Sequence, residues 1–133
     1  MIEKILLFAM VIFYLFAGYY HFANPNFYYT IIPPYLAAWE KPINLAAGFI
    51  EIGLALLLIP DNTRRFAGLG IVAMLLAFIP SHIYFFEKGR FQLGDFTITP
   101  MIAWIRLLII HPLLIIWAWW VSKFEGLTSY LPE

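Results

Sequence analysis

Four ionisable side chains stand where the surrounding residues are almost wholly apolar: His21, Glu51, His82 and Arg106. A carboxylate, a guanidinium and two imidazoles can exchange protons, hold an anion or hydrogen-bond a polar head group. Their neighbours make the pattern unusual. No Asp, Glu, Lys or Arg falls between Lys4 and Glu40 or between Arg65 and Glu87. Glu51 stands alone between Lys41 and Asp61, and Arg106 alone between Asp95 and Lys123. Charges placed inside such stretches are costly in lipid, so they are expected to face a protein interior.

The elements that must position them follow from the same charge gaps. A helix needs about 20 mainly apolar residues to cross a bilayer core, and unsatisfied backbone in lipid costs several kcal/mol per group. The gaps predict four transmembrane helices over 5–23, 42–60, 66–86 and 98–121. The expected fold is all-α: a single domain over 1–133, an integral membrane four-helix bundle. Bulky Tyr19, Tyr20, His21 and Phe22 argue against cleavage of the first span as a signal peptide. The Asn24-Pro25-Asn26 and Pro33-Pro34 sequences forbid a continuous helix through 24–41. With Phe27, Tyr28, Tyr29, Tyr35 and Trp39, that stretch reads as an aromatic-rich extracytoplasmic cap at the interface. Residues 87–97 form the other outer connection, and Trp117, Trp119 and Trp120 an anchoring belt near the inner end of the fourth helix. The basic Arg64-Arg65 turn places the termini on the cytoplasmic side of a cell membrane, the inner one in a bacterium.

Depth can be counted at about 1.5 Å per residue. Glu51 lies ten residues after Lys41 and Arg106 eleven after Asp95, so both sit ~15 Å in, at one level. The two are expected to pair, since an unpartnered buried charge costs far more than a satisfied one. His82, ~7 Å below the outer surface, and His21, near the outer end of the first helix, then form with Ser81 a polar vestibule above the pair. Small residues share these faces: Ala17 or Gly18 with His21, Ala47 or Gly48 and Ala55 with Glu51, and Gly70, Ala73, Ala77 and Ser81 together. Such stripes let helices approach closely. His111, ~140° around the helix from Arg106, is assigned a structural role beside Pro112.

Composition excludes several classes. The chain is 63% hydrophobic and 12% charged, far from the soluble average of about 45–50% and ~25%. Zero net charge argues against nucleic acid as a partner. With no cysteine, the chain carries no thiolate nucleophile or disulfide of its own. Gly-rich phosphate loops, GxSxG elbows and close metal-ligand spacings are lacking in the sequence.

The Ala17-Gly18-Tyr19-Tyr20-His21-Phe22-Ala23-Asn24-Pro25 stretch resembles the AGxxHFxxP opening of the DoxX-like membrane proteins, which are related to the MauE group. The likeness continues through Ile32-Pro33-Pro34-Tyr35-Leu36, Gly48-Phe49-Ile50-Glu51-Ile52-Gly53-Leu54, Arg64-Arg65 and Phe78-Ile79-Pro80-Ser81-His82-Ile83-Tyr84. Pro80-Ser81-His82 stands where relatives often show PAN. Arg106-Leu107-Leu108-Ile109-Ile110 stands where they show RLPxQ, which leaves His111 as the candidate substitute for the glutamine. The resemblance implies a four-helix membrane protein tied to quinone-coupled oxidation, redox maturation or membrane-protein assembly.

These readings favour an accessory or binding component over an enzyme. Glu51, Arg106, His82, His21 and Ser81 form its ligand site. No cofactor is intrinsic, a bound quinone or lipid is the expected guest, and the partners are the bilayer and a membrane or periplasmic protein or a second copy. The alternative is a small proton-coupled transporter or acid/base membrane enzyme that uses Glu51 and His82.

Overall fold

The computed structural model describes residues 1–128 and is mainly helical. Helix α1 spans Ile2–Ala23, and after Asn24 the short α2 takes Pro25–Tyr29, with Pro25 at its first position, where the missing N–H leaves no bond unmade. A 3-10 segment over Pro34–Trp39 leads into α3, Glu40–Leu57. Helix α4 covers Asp61–Ala77 and α5 Ile79–Glu87. A hairpin of β1, Phe91–Leu93, and β2, Phe96–Ile98, precedes α6, Pro100–Ile105. A π-helical stretch, Arg106–Ile110, then joins α6 to α7, His111–Val121.

Three helical stretches are long and apolar enough to cross a membrane: Ile2–Ala23, Asp61–Glu87 and Pro100–Val121. The fourth expected span, 42–60, is the helix Glu40–Leu57, which carries Glu40, Lys41 and Glu51 within 18 residues. At 18 residues it offers no window with fewer than these three charges, whereas the longer stretches do. The molecule is also inverted relative to a soluble one. Ile12, Phe16, Phe49, Leu113 and Ile116 are exposed, while Glu51 and Arg64 are buried. Exposed apolar residues in this number are compatible with a membrane setting.

The long helices depart from regular geometry where proline dictates. Pro80 has no N–H for the ladder, and the third rod breaks at Phe78 into α4 and α5. Pro112 does the same to the fourth rod, and the turn before it widens to the π form. The outer connection expected over 87–97 holds most of the hairpin, whose second strand ends at Ile98. Gly94, at φ +60°, makes its turn, Phe91 pairs with Ile98, and Leu93 and Ile98 are buried.

Helix α1 lies closest to α3, and glycine is the reason. A Cβ on Gly18 would come 2.6 Å from Ile52 Cγ1 and 2.9 Å from the Gly48 carbonyl oxygen. One on Gly48 would meet the Phe22 ring at 2.8 Å. Gly68 does the same for α4 and α7, since its Cβ would lie 2.9 Å from the Ala118 carbonyl oxygen. The main core, with Leu7, Met10, Tyr14, Leu58, Ile71 and Val121, fills the space among these helices. A smaller cluster of Phe85, Leu93, Ile98 and Ala103 anchors the hairpin.

At the far end from the cap, Arg64 is completely buried. Its guanidinium donates to the carbonyls of Leu58 (2.9 Å), Ile59 (2.6 Å) and Phe124 (3.2 Å), and to Thr128 Oγ1 (2.9 Å). It also pairs with Asp61, whose carboxylate accepts the backbone N–H groups of Leu127 and Thr128.

Candidate functional site

Between α1, α3, α5 and the π stretch lies a cavity of about 440 Å³. Its wall is largely apolar and includes Phe13, Ile43, Phe85 and Leu114, with Phe27 and Tyr28 contributed by α2. His21, Glu51, Ser81, His82 and Arg106, expected from the sequence to share an interior, all line it.

The expected direct pair of Glu51 with Arg106 is not formed. Glu51 Oε2 instead lies 3.2 Å from His21 Nε2, and both side chains are buried. Close packing of α1 on α3 through Gly18 and Gly48 brings this histidine to the carboxylate. The π stretch packs on α5 instead, and there the Arg106 guanidinium carbon sits 4.4 Å from the centroid of Phe85. Among the described residues the Arg106 side chain has neither an ion pair nor a hydrogen bond, though it faces the same cavity as Glu51.

Asn44 decides how His21 presents itself. Its Nδ2 donates to the His21 carbonyl at 2.9 Å, which leaves Oδ1 to accept from His21 Nδ1–H at 2.6 Å. With Nδ1 committed as a donor, Nε2 is the atom turned to Glu51. A lone pair facing a carboxylate at 3.2 Å would be repulsive, so the two groups together hold one proton, in an ion-pair contact without hydrogen-bond geometry. Whether nitrogen or oxygen carries it, the His21–Glu51 unit is neutral overall.

The Tyr28 ring lies flat on the His21 imidazole, with centroids 3.5 Å apart and planes 14° from parallel. Its hydroxyl donates to the Ala17 carbonyl at 3.3 Å. Burial, with the nearby Glu51 charge, pushes this phenol above its ordinary pKa, so it stays a donor. The cap is pinned from the hairpin side by Lys88, whose Nζ donates to the Thr30 carbonyl at 2.8 Å and lies 4.4 Å from the Phe91 ring.

His82 and His111 sit side by side, ring centroids 4.3 Å apart. His111 Nε2–H donates to the Leu75 carbonyl at 2.7 Å, next to the break at Phe78. Its structural assignment agrees with this bond, although the ring also lines the cavity. Buried atoms without a hydrogen bond include Glu51 Oε2, His82 Nδ1 and the Tyr14 hydroxyl, and all three residues line the cavity. Unsatisfied buried groups are rare and call for an explanation; a polar guest is one.

Asn44, Tyr14 and Tyr28 were not among the residues singled out from the sequence. Two carried a signal there: Tyr14 is seven residues before His21, and Asn44 seven before Glu51, each on the same helical face. Tyr28 had none beyond its aromatic neighbourhood. Among the described residues no group of three His, Cys, Asp or Glu side chains is arranged to hold a metal ion.

No curated protein and no solved structure matches the chain. Residues 10–122 match the model of a family described as a domain of unknown function (DUF8561), and the chain belongs to that family.

Proposed function

We propose that this protein is a four-helix integral membrane protein that binds an amphiphilic small molecule in the His21–Glu51–Arg106 cavity. The observation that carries this reading is a cavity with an apolar wall and a few convergent polar groups, among them His82 Nδ1 and the Tyr14 hydroxyl without a hydrogen bond. The apolar exterior and the three long apolar helices support a membrane setting, with α3 as the fourth span. Helix α3 joins them because its one deep charge, Glu51, is turned inward and neutralised by His21. The termini are cytoplasmic, in the inner membrane if the cell is bacterial.

The protein serves as an accessory component of a quinone-linked redox or protein-assembly system, in keeping with its resemblance to DoxX-like and MauE-related proteins. A quinone or a lipid is the guest, and a membrane or periplasmic protein, or a second copy, the partner. The proton held between His21 and Glu51 favours a second reading, acid/base or proton-coupled work in the membrane. In that case His21, rather than His82, is the partner of Glu51.

The test is to purify the protein and analyse co-isolated lipids and quinones by mass spectrometry. Melting temperatures are then compared with and without those compounds for wild type, Glu51→Gln and Arg106→Met. An amphiphile that co-purifies and stabilises only the wild type supports the reading. Stabilisation that is unchanged in both variants overturns it.

A further inference from the structure

A second, almost wholly apolar groove of about 570 Å³ lies beside the polar cavity, between α3 and α4. Gly70, Ala73 and Ala77 form one side of it. The sequence pattern suggested that these small residues allow close helix contact, yet here they leave a channel. Ala73 and Ala77 are exposed, so in a bilayer this channel faces the acyl chains. Ile32, Ile43, Ala47, Phe78 and Ser81 line both spaces, so groove and cavity adjoin across these side chains.

Charge identifies what the polar end requires. Arg106 is permanently cationic in proteins. The His21–Glu51 contact, holding one proton, sums to zero and offers Arg106 no net counter-charge. Among the described residues no carboxylate comes within 4.0 Å of its guanidinium, whose ring neighbour is Phe85. Arg106 is half-buried beside a largely apolar wall, and a cation so placed is disfavoured unless an anion joins it. A planar guanidinium also matches an oxyanion in two-point geometry.

Resting on the amphiphile-binding reading of the same cavity, we infer that the guest is an acidic amphiphile. Its oxyanion sits against Arg106, and its apolar chain passes these shared side chains into the groove between α3 and α4. A long-chain carboxylate and the phosphate of a single-chain phospholipid share this chemistry. A neutral head group lacks the charge that the site is short of.

The full-length protein in phosphatidylcholine nanodiscs is titrated with dodecanoate, dodecanol, hexanoate and a lysophosphatidic acid, with binding followed by calorimetry. Each variant's melting temperature without ligand serves as a check of folding. Wild type is expected to bind dodecanoate at least tenfold more tightly than dodecanol. Arg106→Gln removes that preference, and Arg106→Lys restores most of it. Ala73→Phe, which fills the groove, weakens dodecanoate at least tenfold and leaves hexanoate unaffected. Displacement of dodecanoate by lysophosphatidic acid at lower concentration assigns the head group as phosphate, and the reverse order as carboxylate. Equal affinity for dodecanoate and dodecanol overturns the acidic head while the amphiphile reading stands. If none of the four compounds binds and no quinone stabilises the protein, both fall.

Discussion

His21 Nδ1 and Asn44 Oδ1 lie 2.6 Å apart, and this contact fixes which imidazole nitrogen looks into the cavity. The return bond from Asn44 Nδ2 to the His21 carbonyl closes a ring between α1 and α3. Replacing Asn44 with Leu breaks both bonds and leaves a buried donor and a buried carbonyl unpaired. We expect a loss of about 2–6 kcal/mol in unfolding free energy, at 1–3 kcal/mol for each orphaned group. Nitrogen NMR of His21 should also show loss of the fixed Nδ1–H tautomer. An unchanged tautomer in Asn44→Leu contradicts the assignment.

Glu51→Gln and Glu51→Leu should separate shape from hydrogen bonding. A glutamine amide can donate to His21 Nε2 and keep the imidazole neutral, so its stability should stay within about 1 kcal/mol of wild type. Leucine leaves Nε2 buried without a partner, at a cost of about 1–3 kcal/mol. Thermal unfolding of the two variants side by side reads the difference.

The Arg64–Asp61 unit ties the start of α4 to the segment 124–128. Arg64→Met strands the carbonyls of Leu58, Ile59 and Phe124 and a carboxylate, and should cost about 3–5 kcal/mol. Limited proteolysis should then cut within 122–128 at rates the wild type resists. Arg64→Lys is expected to rescue little, because one ammonium cannot reach so many acceptors at once.

Gly18→Ala places a methyl group against Ile52 and the Gly48 carbonyl, both closer than any ordinary contact. The α1–α3 pair must then separate, at a cost of about 1–3 kcal/mol. Because that separation also parts His21 from Glu51, Gly18→Ala should alter ligand affinity as well as melting temperature. Gly53→Ala, where no atom lies within 4 Å of the added carbon, is the control: affinity should be unaltered and stability up to about 1 kcal/mol higher.

Much of this site was legible before any coordinates. Each of the five chosen residues breaks an apolar run, and in lipid that is permitted only toward an interior, so all five meet in one cavity. Pairing was not legible. Depth counting placed Glu51 and Arg106 at one level, but level says nothing of rotation about the bundle axis. The glycine contacts between α1 and α3 give Glu51 a nearer partner, and the Pro112-induced π turn carries Arg106 to Phe85. The break at Phe78 was implicit in Pro80. The hairpin was harder to foresee, since three-residue strands leave too little alternation to read against a Gly-rich turn.

The two ends of the molecule are fastened by different kinds of contact. One is riveted by Arg64, with its bonds to three carbonyls, a hydroxyl and a carboxylate. The other is closed by stacked rings and a few single bonds, Tyr28 on His21 and Lys88 to Thr30. Aromatic lids slide at little expense, whereas a multiply bonded guanidinium must break everything before it yields. The end held by Arg64 is therefore the more firmly fastened of the two.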